Sequence, residues 1–232
     1  MTHDVSVLVA ARDAEAFIEE SVRSALDQTV APSEIVVVDD GSTDATAAIA
    51  EALDPRVVVV RREHAGVGAS RNAGLAVVSR PWIALLDADD VWLPTKLERQ
   101  LAAFADDPAR EAVFTWFDEF ADADHPPPPG TRVPRTGQSA SLSTGVLMPR
   151  PVIDRIGPFG TGESADWFGW WAHARALGVV EHTVPEVLYR RRIHSANNSF
   201  RRGDRGQSFV AAARAHLHDV RARGTTDVTG AP

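Results

Sequence analysis

The chain has 232 residues, of which 44% are hydrophobic and 24% charged. That is the balance of a globular domain and not of a disordered or fibrous chain. The absence of cysteine excludes disulfides, thiolate metal sites and a cysteine nucleophile, and the net charge of −8 argues against binding nucleic acid through overall charge.

The chain opens with the polar stretch Met1–Asp4 and the apolar run Val5–Ala10. This run is too short for a secretory signal and reads as a buried strand. Ala14–Gln28 carries Phe17, Ile18, Val22, Ala25 and Leu26 at helical spacing. Ile35–Val38 is a second strand, ending in Asp39-Asp40-Gly41-Ser42-Thr43-Asp44. Ser42 or Thr43 is suited to cap the helix that follows, to about Leu53. Val57–Val60 is a third strand, Ala65–Val78 a helix, and Trp82–Leu86 a fourth strand closed by Asp87-Ala88-Asp89-Asp90. Strand and helix alternate at βα spacing, which predicts an α/β domain: a mostly parallel, Rossmann-like sheet with helices on both faces.

The second half is less regular. Lys96–Ala105 reads as a helix, Ala112–Phe117 as a strand, and His125–Gly130, with its four prolines, as an extended loop. Ser143–Met148 and Val187–Arg191 read as strands, Asp166–Leu177 and Gln207–Arg223 as helices, and Thr225–Pro232 as a tail. No run approaches the roughly 18 apolar residues of a membrane span, so the expected location is cytoplasmic. Lys96 is the only lysine. With so much Ala, Gly and Pro, the arginine bias reads as a coding preference more than a function.

In an open parallel sheet, ligands bind beyond the carboxyl ends of the strands. Asp39-Asp40 and Asp87-Ala88-Asp89 both fall at such ends. Carboxylates brought together need a cation or hydrogen-bonding ligand between them, and hard oxygen donors select Mg²⁺ or Mn²⁺. Open metal positions suit phosphate oxygens, so a nucleotide diphosphate is the natural partner. Each cluster alone also reads as an ordinary surface turn.

These residues resemble glycosyltransferase family 2, which has the GT-A fold. The resemblance rests on Val5–Gln28, the block Ile35–Asp44, Gly68–Leu75, Trp82–Asp90 and Ser143–Leu147. It continues through Ile156–Phe159, Ala165-Asp166 and Tyr189–His194. It implies a single GT-A domain with a nucleotide-sugar-binding half over residues 1–110 and an acceptor-binding half over 111–200. Residues 201–232 would add a helix and a flexible tail. The implied activity is inverting, metal-dependent transfer from a nucleotide diphosphate sugar, most simply a UDP-sugar. The acceptor is left open among lipid, peptide, saccharide and natural product. By position, Ala11, Arg12, Asp39 and Arg71 would meet the nucleotide, Asp87 the ribose, and Asp89 and His194 the Mn²⁺ or Mg²⁺. Asp166 would be the catalytic base. The family's Glu-Asp pair is Ala165-Asp166 here, and Glu163 is the nearest substitute.

Asp166 also suits a helix N-cap. Of Arg190, Arg191 and Arg192, either Arg191 or its two neighbours would face the site on an extended strand, there to grip phosphate. Trp167, Trp170 and Trp171 fit a core stripe or a stacking platform for a sugar. The basic C-terminal segment, with Arg201 and Arg202, fits a solvated helix face before contact with an anionic membrane surface or a peptide acceptor. A nucleotidyltransferase would need a glycine-rich loop after the first strand, which Ala10-Ala11-Arg12-Asp13 does not supply. A non-catalytic nucleotide-sugar-binding protein of the same fold is the other alternative.

Overall fold

The computed structural model describes residues 4–161 and 167–197. Its first half runs β1 (Val5–Ala11), α1 (Ile18–Leu26), β2 (Glu34–Asp39), α2 (Thr46–Glu51), β3 (Val57–Arg61), α3 (Val67–Leu75), β4 (Trp82–Asp87) and the short β5 (Val91–Trp92). The second half runs α4 (Lys96–Asp106), β6 (Ala112–Phe120), β7 (Arg135–Gln138), β8 (Leu147–Pro149), α5 (Arg150–Ile156), α6 (Trp167–Ala176) and β9 (Glu181–Arg192). The strands form a single nine-stranded sheet in the order β3-β2-β1-β4-β8-β6-β9-β5, with β7 along β6.

The parallel order read from the sequence holds across β3, β2, β1 and β4. There β1, β2 and β3 are each followed by a crossover helix, which returns the chain in the same direction. Beyond β4 the directions mix: β8 runs antiparallel to both β4 and β6, β6 and β9 are parallel, and β5 closes antiparallel on β9.

Side chains alternate across the strands, so both faces are apolar. Val5, Val7 and Val9 pack with Ile18 and Val22 of α1, Ala50 of α2 and Leu97 and Leu101 of α4. Leu8, Val36, Val38, Ile83 and Leu85 face the other way, onto α3, α5 and α6. Gly74 sets how close α3 comes to the sheet, because a Cβ there would lie 2.1 Å from Leu8 Cδ1 and 3.1 Å from Val38 Cγ2. Asn72 grips the Phe159 backbone through two 2.8 Å bonds, one donated by its Nδ2 and one accepted by its Oδ1. The Arg-Asn-Ala-Gly segment is thereby fixed against the sheet and against residues 156–159.

Several sequence expectations are corrected. Ser143–Met148 is not one strand: residues 143–145 form a 3₁₀ turn and only Leu147–Pro149 pairs with the sheet. Gly145 passes close to the Tyr189 ring, where a built Cβ would lie 3.1 Å from Cε1. Neither Ser42 nor Thr43 caps α2, whose N-cap is Ala45 with no side-chain cap bond. The short β5, β7 and α5 have no counterpart in the sequence reading, being two to seven residues long. Trp167, Trp170 and Trp171 are core: all three are buried, and their indole N–H groups donate to Ser141 O, Gly157 O and Glu181 Oε2. They do not offer a face to a sugar. The expected helix over 207–223, with Arg201 and Arg202 before it, lies outside the described residues. Among the described residues no helix is long and apolar enough to cross a membrane.

Candidate functional site

The chain reaches β2 and β3 on one side of β1 and then β4 on the other. This reversal is the topological switch point at which open α/β sheets bind ligands. Ala11 pairs with Asp39 and Ala10 with Asp87, so the two aspartates flank the end of β1. They stand two strand spacings apart, roughly 10 Å. The carboxylates read as converging do share one edge of the sheet.

The loops after β1 and β2 are stapled together. Asp13, at φ 47°, is in the left-handed region that Asp tolerates better than most residues. Its carboxylate accepts from Thr43 N at 2.9 Å, and its own N–H donates to Ser42 Oγ at 3.0 Å. Ala14 N donates to Thr46 Oγ1 at 2.7 Å and Glu15 N to Asp44 Oδ2 at 3.1 Å. The Ser-Thr-Asp stretch thus holds the other loop, and Asp44 also accepts from Thr46 N at the start of α2, at 3.0 Å. Arg12 emerges from it exposed, and its guanidinium donates to His64 Nε2 at 2.6 Å. Arginine has no acceptor, so Nε2 is the bare nitrogen, and Nδ1–H donates to Asp40 Oδ2 at 2.7 Å.

Asp40 is structural. Its buried carboxylate also accepts from Ala65 N at 3.0 Å and Gly66 N at 2.9 Å. Burial alone would raise its pKa. Hydrogen bonds from Ala65, Ser70, His64 and Gly66 outweigh that and hold it below the usual carboxylate range. The Asp39 carboxylate accepts from Ser42 N at 3.3 Å.

Asp87 is gripped from two sides yet stays half-open. Arg71 Nη2 donates to Oδ1 at 3.0 Å and Ser143 Oγ to Oδ2 at 2.9 Å, while Asp87 N donates to Thr144 Oγ1 at 3.1 Å. The Arg71 side chain is 7% exposed and that of Asp87 40%.

Asp89 and His194 are in contact, Nε2 lying 3.0 Å from Oδ2. Asn197 links the two residues: its Nδ2 donates to Asp89 Oδ2 at 2.8 Å and its Oδ1 accepts from the His194 backbone N–H at 2.6 Å. Arg192 ties β9 to this turn. Its N–H donates to Asp90 Oδ1 at 3.0 Å and its Nε to Asp89 O at 3.1 Å. It also pairs with Asp122 and Glu20 and sits over the Phe17 and Phe120 rings. Asp90 is fully buried. Burial first, then the neighbouring Asp89 and Asp87 charges, push its pKa well up against the pull of Arg191 and Thr144. Asp89 and His194 fit a divalent cation that takes its other ligands from phosphate and water. Among the described residues no group of three or more acidic or histidine side chains could hold a metal alone.

Ala11, Arg12, Asp39, Arg71 and Asp87 thus come to one sheet edge, and Asp89 meets His194. Arg191, expected at the nucleotide, donates to Glu119 Oε1 at 3.2 Å. Asp166, Ala165 and Glu163 lie outside the described residues. Sequence reasoning missed His64, Ser143, Thr144, Asp90 and Asn197 as parts of the site, and Arg192, read there as one alternative for gripping phosphate, ties β9 to Asp89 and Asp90. Ser143, Thr144 and Asp90 stand within stretches that carry the family resemblance, whereas His64 and Asn197 carry no local pattern.

The model of the family described as "Glycosyl transferase family 2" matches residues 6–151, more than half of the chain. The succinoglycan biosynthesis protein ExoO of Rhizobium meliloti is 42% identical over 100 residues, 42% of this chain and 29% of that protein. An Escherichia coli protein named UDP-Glc:alpha-D-GlcNAc-diphosphoundecaprenol beta-1,3-glucosyltransferase WfgD is 39% identical over 100 residues, 42% of this chain and 40% of that protein. The matches therefore span well under half of these relatives. In structure, S. aureus TarS 1-349 in complex with UDP-GlcNAc superposes with a TM-score of 0.71 at 19% identity, over 92% of this chain and 65% of that one. The mannosyltransferase PcManGT from Pyrobaculum calidifontis, in complex with GDP-Man and Mn²⁺, gives 0.65 at 20% identity, over 98% and 65%. At such identity the superpositions establish the GT-A fold. The chain belongs to glycosyltransferase family 2.

Proposed function

We propose that the chain transfers a sugar from a nucleotide diphosphate sugar, a UDP-sugar in the first instance, to an acceptor hydroxyl, with inversion and with a divalent metal. The observation that carries this reading is the meeting of Asp89 and His194, at 3.0 Å, on the sheet edge where Asp39 and Asp87 end their strands. The relatives' names support it: WfgD is named for UDP-Glc and a diphospholipid-linked sugar. A saccharide carried on a lipid diphosphate is therefore the first acceptor to test.

In this reading Asp39 accepts an N–H of the base, and Arg12 and Arg71 donate to its carbonyl oxygens or to phosphate. Asp87 accepts from the ribose hydroxyls. Arg191, which donates to Glu119 Oε1 in the structure, would turn to the diphosphate. Asp89 and His194 would hold Mn²⁺ or Mg²⁺, which supplies Lewis-acid stabilisation of the leaving diphosphate. Asp166 takes the proton of the acceptor hydroxyl as its oxygen bonds to the anomeric carbon. The bond from that carbon to the diphosphate breaks, and the nucleoside diphosphate departs with the electron pair. A base so placed contributes about 10²–10⁴-fold.

The test is donor turnover with Mn²⁺ and a lipid-diphosphate-linked saccharide. Asp166→Asn should lower kcat by at least about 10²-fold and leave UDP affinity unchanged. Wild-type turnover in that variant would remove Asp166 from the role.

A further inference from the structure

The one lysine of the chain is buried out of reach of solvent. Lys96, the first residue of α4, has 0% exposure. Two effects oppose a cation there: loss of hydration and the positive end of the helix dipole. Among the described residues no carboxylate pairs with it. Its Nζ donates to Gln100 Oε1 at 2.9 Å and lies 4.0 Å from the centre of the Trp92 ring. Burial alone drives its pKa well below the ordinary value.

Gln100, also at 0% exposure, spends both amide hydrogens on main-chain carbonyls. Its Nε2 donates to Val113 O at 2.6 Å and Gly145 O at 2.9 Å. That orientation requires a donor on Oε1, and Lys96 is the donor. Next to it, Trp92 Nε1 donates to Thr144 O at 3.1 Å. The turn at 143–145 is therefore tied down through two successive carbonyls. Its upper side presents Ser143 Oγ and Thr144 Oγ1 to Asp87, at 2.9 and 3.1 Å.

We propose that Lys96 is a positioning residue for the donor site: through Gln100 and Gly145 it holds the Ser143–Thr144 turn that fixes the Asp87 carboxylate against Arg71. The chain of contacts is unbroken from a buried amine to a carboxylate on the reactive edge. The proposal rests on the reading of Asp87 as a nucleotide ligand.

The test uses the full chain and titrates UDP with Mn²⁺ by calorimetry, alongside amide exchange without nucleotide. Lys96→Met keeps the length and removes the donor. Gln100→Glu keeps an acceptor for Lys96 and loses the bonds to Gly145 O and Val113 O. Ser143→Ala cuts the last link. Each should weaken UDP binding about tenfold, the range for residues that orient a ligand-bearing group. The double variant Lys96→Met/Ser143→Ala should bind no worse than Ser143→Ala alone, because both act along one path. Exchange at Gly145 and Val146, whose amides close the turn onto Leu142 O and Ser143 O, should quicken in Lys96→Met and Gln100→Glu. Wild-type protection there in Lys96→Met, or losses that multiply in the double variant, would overturn the proposal. A wild-type chain that takes up no UDP would overturn the donor-site reading and with it the functional half of the proposal, while the exchange data still decide whether Lys96 holds the turn.

Discussion

His194 and Asp89 are separated by 105 residues, yet the imidazole Nε2 of one lies 3.0 Å from the carboxylate of the other. The contact joins the end of β9 to the turn after β4. Asn197 bonds the Asp89 carboxylate and the His194 backbone, and so links the two residues proposed to hold the metal. Asn197→Ala should therefore weaken Mn²⁺ binding in the presence of UDP about tenfold, read by Mn²⁺ titration of the complex. Unchanged Mn²⁺ affinity would show that the asparagine only fills space.

Asp40 should contribute to acid sensitivity. Its folded-state pKa is lowered from 3.8. The stabilisation is thus fully present above 3.8 and is lost as pH falls through the folded value. Asp40→Asn turns acceptors toward the N–H groups of Ala65 and Gly66 into a partial mismatch and should cost about 1–3 kcal/mol near neutral pH. Urea midpoints measured down the acid range should fall less steeply for the variant than for the wild type.

Lys96 has the opposite sign to a stabilising cation. Its folded-state pKa is depressed below 10.5, so the unfolded chain binds the extra proton between the two values. Stability from this group should rise with pH across that window and level off above 10.5. Lys96→Met should lack the rise when unfolding is followed by urea at successive pH values.

The tryptophans of α6 should matter for folding and not for sugar contact. Trp171 is buried against Phe114, with ring centres 4.9 Å apart. Trp171→Ala should cost about 3–5 kcal/mol, seen in chemical denaturation, while the folded fraction keeps wild-type UDP affinity. A fall in affinity without loss of stability would return the residue to the site.

The first half is legible because its strands are uninterrupted apolar runs and its acidic clusters stop them abruptly. Ile35–Val38 runs directly into Asp39-Asp40, so the end of the strand is marked by the change from apolar to charged side chains. The same local rule misassigns Ser42 and Thr43, since cap chemistry and loop-to-loop bonding use the same hydroxyls. Nor can it separate Asp40, consumed by backbone amides, from Asp39, whose carboxylate accepts from Ser42 N at the sheet edge. In the second half, the partners that matter come from distant segments: Glu119 for Arg191, Asp122 and Glu20 for Arg192, and Asn197 for Asp89. Spacing along the chain carries no record of these. The 143–145 turn reads as strand because it leads into the apolar run Val146–Met148, whereas the close passage of Gly145 by Tyr189 is a tertiary fact.

In the proposed reading, Asp89, on the edge shared by Asp39 and Asp87, binds the nucleotide diphosphate through a divalent metal. It is tested most directly by titrating UDP into the wild-type chain and Asp89→Ala, each with Mn²⁺ and again with a chelator. Binding should be clear only for the wild type with Mn²⁺, and should fall at least about 10²-fold in the other three titrations. Equal UDP affinity with and without Mn²⁺, or in Asp89→Ala, would contradict it.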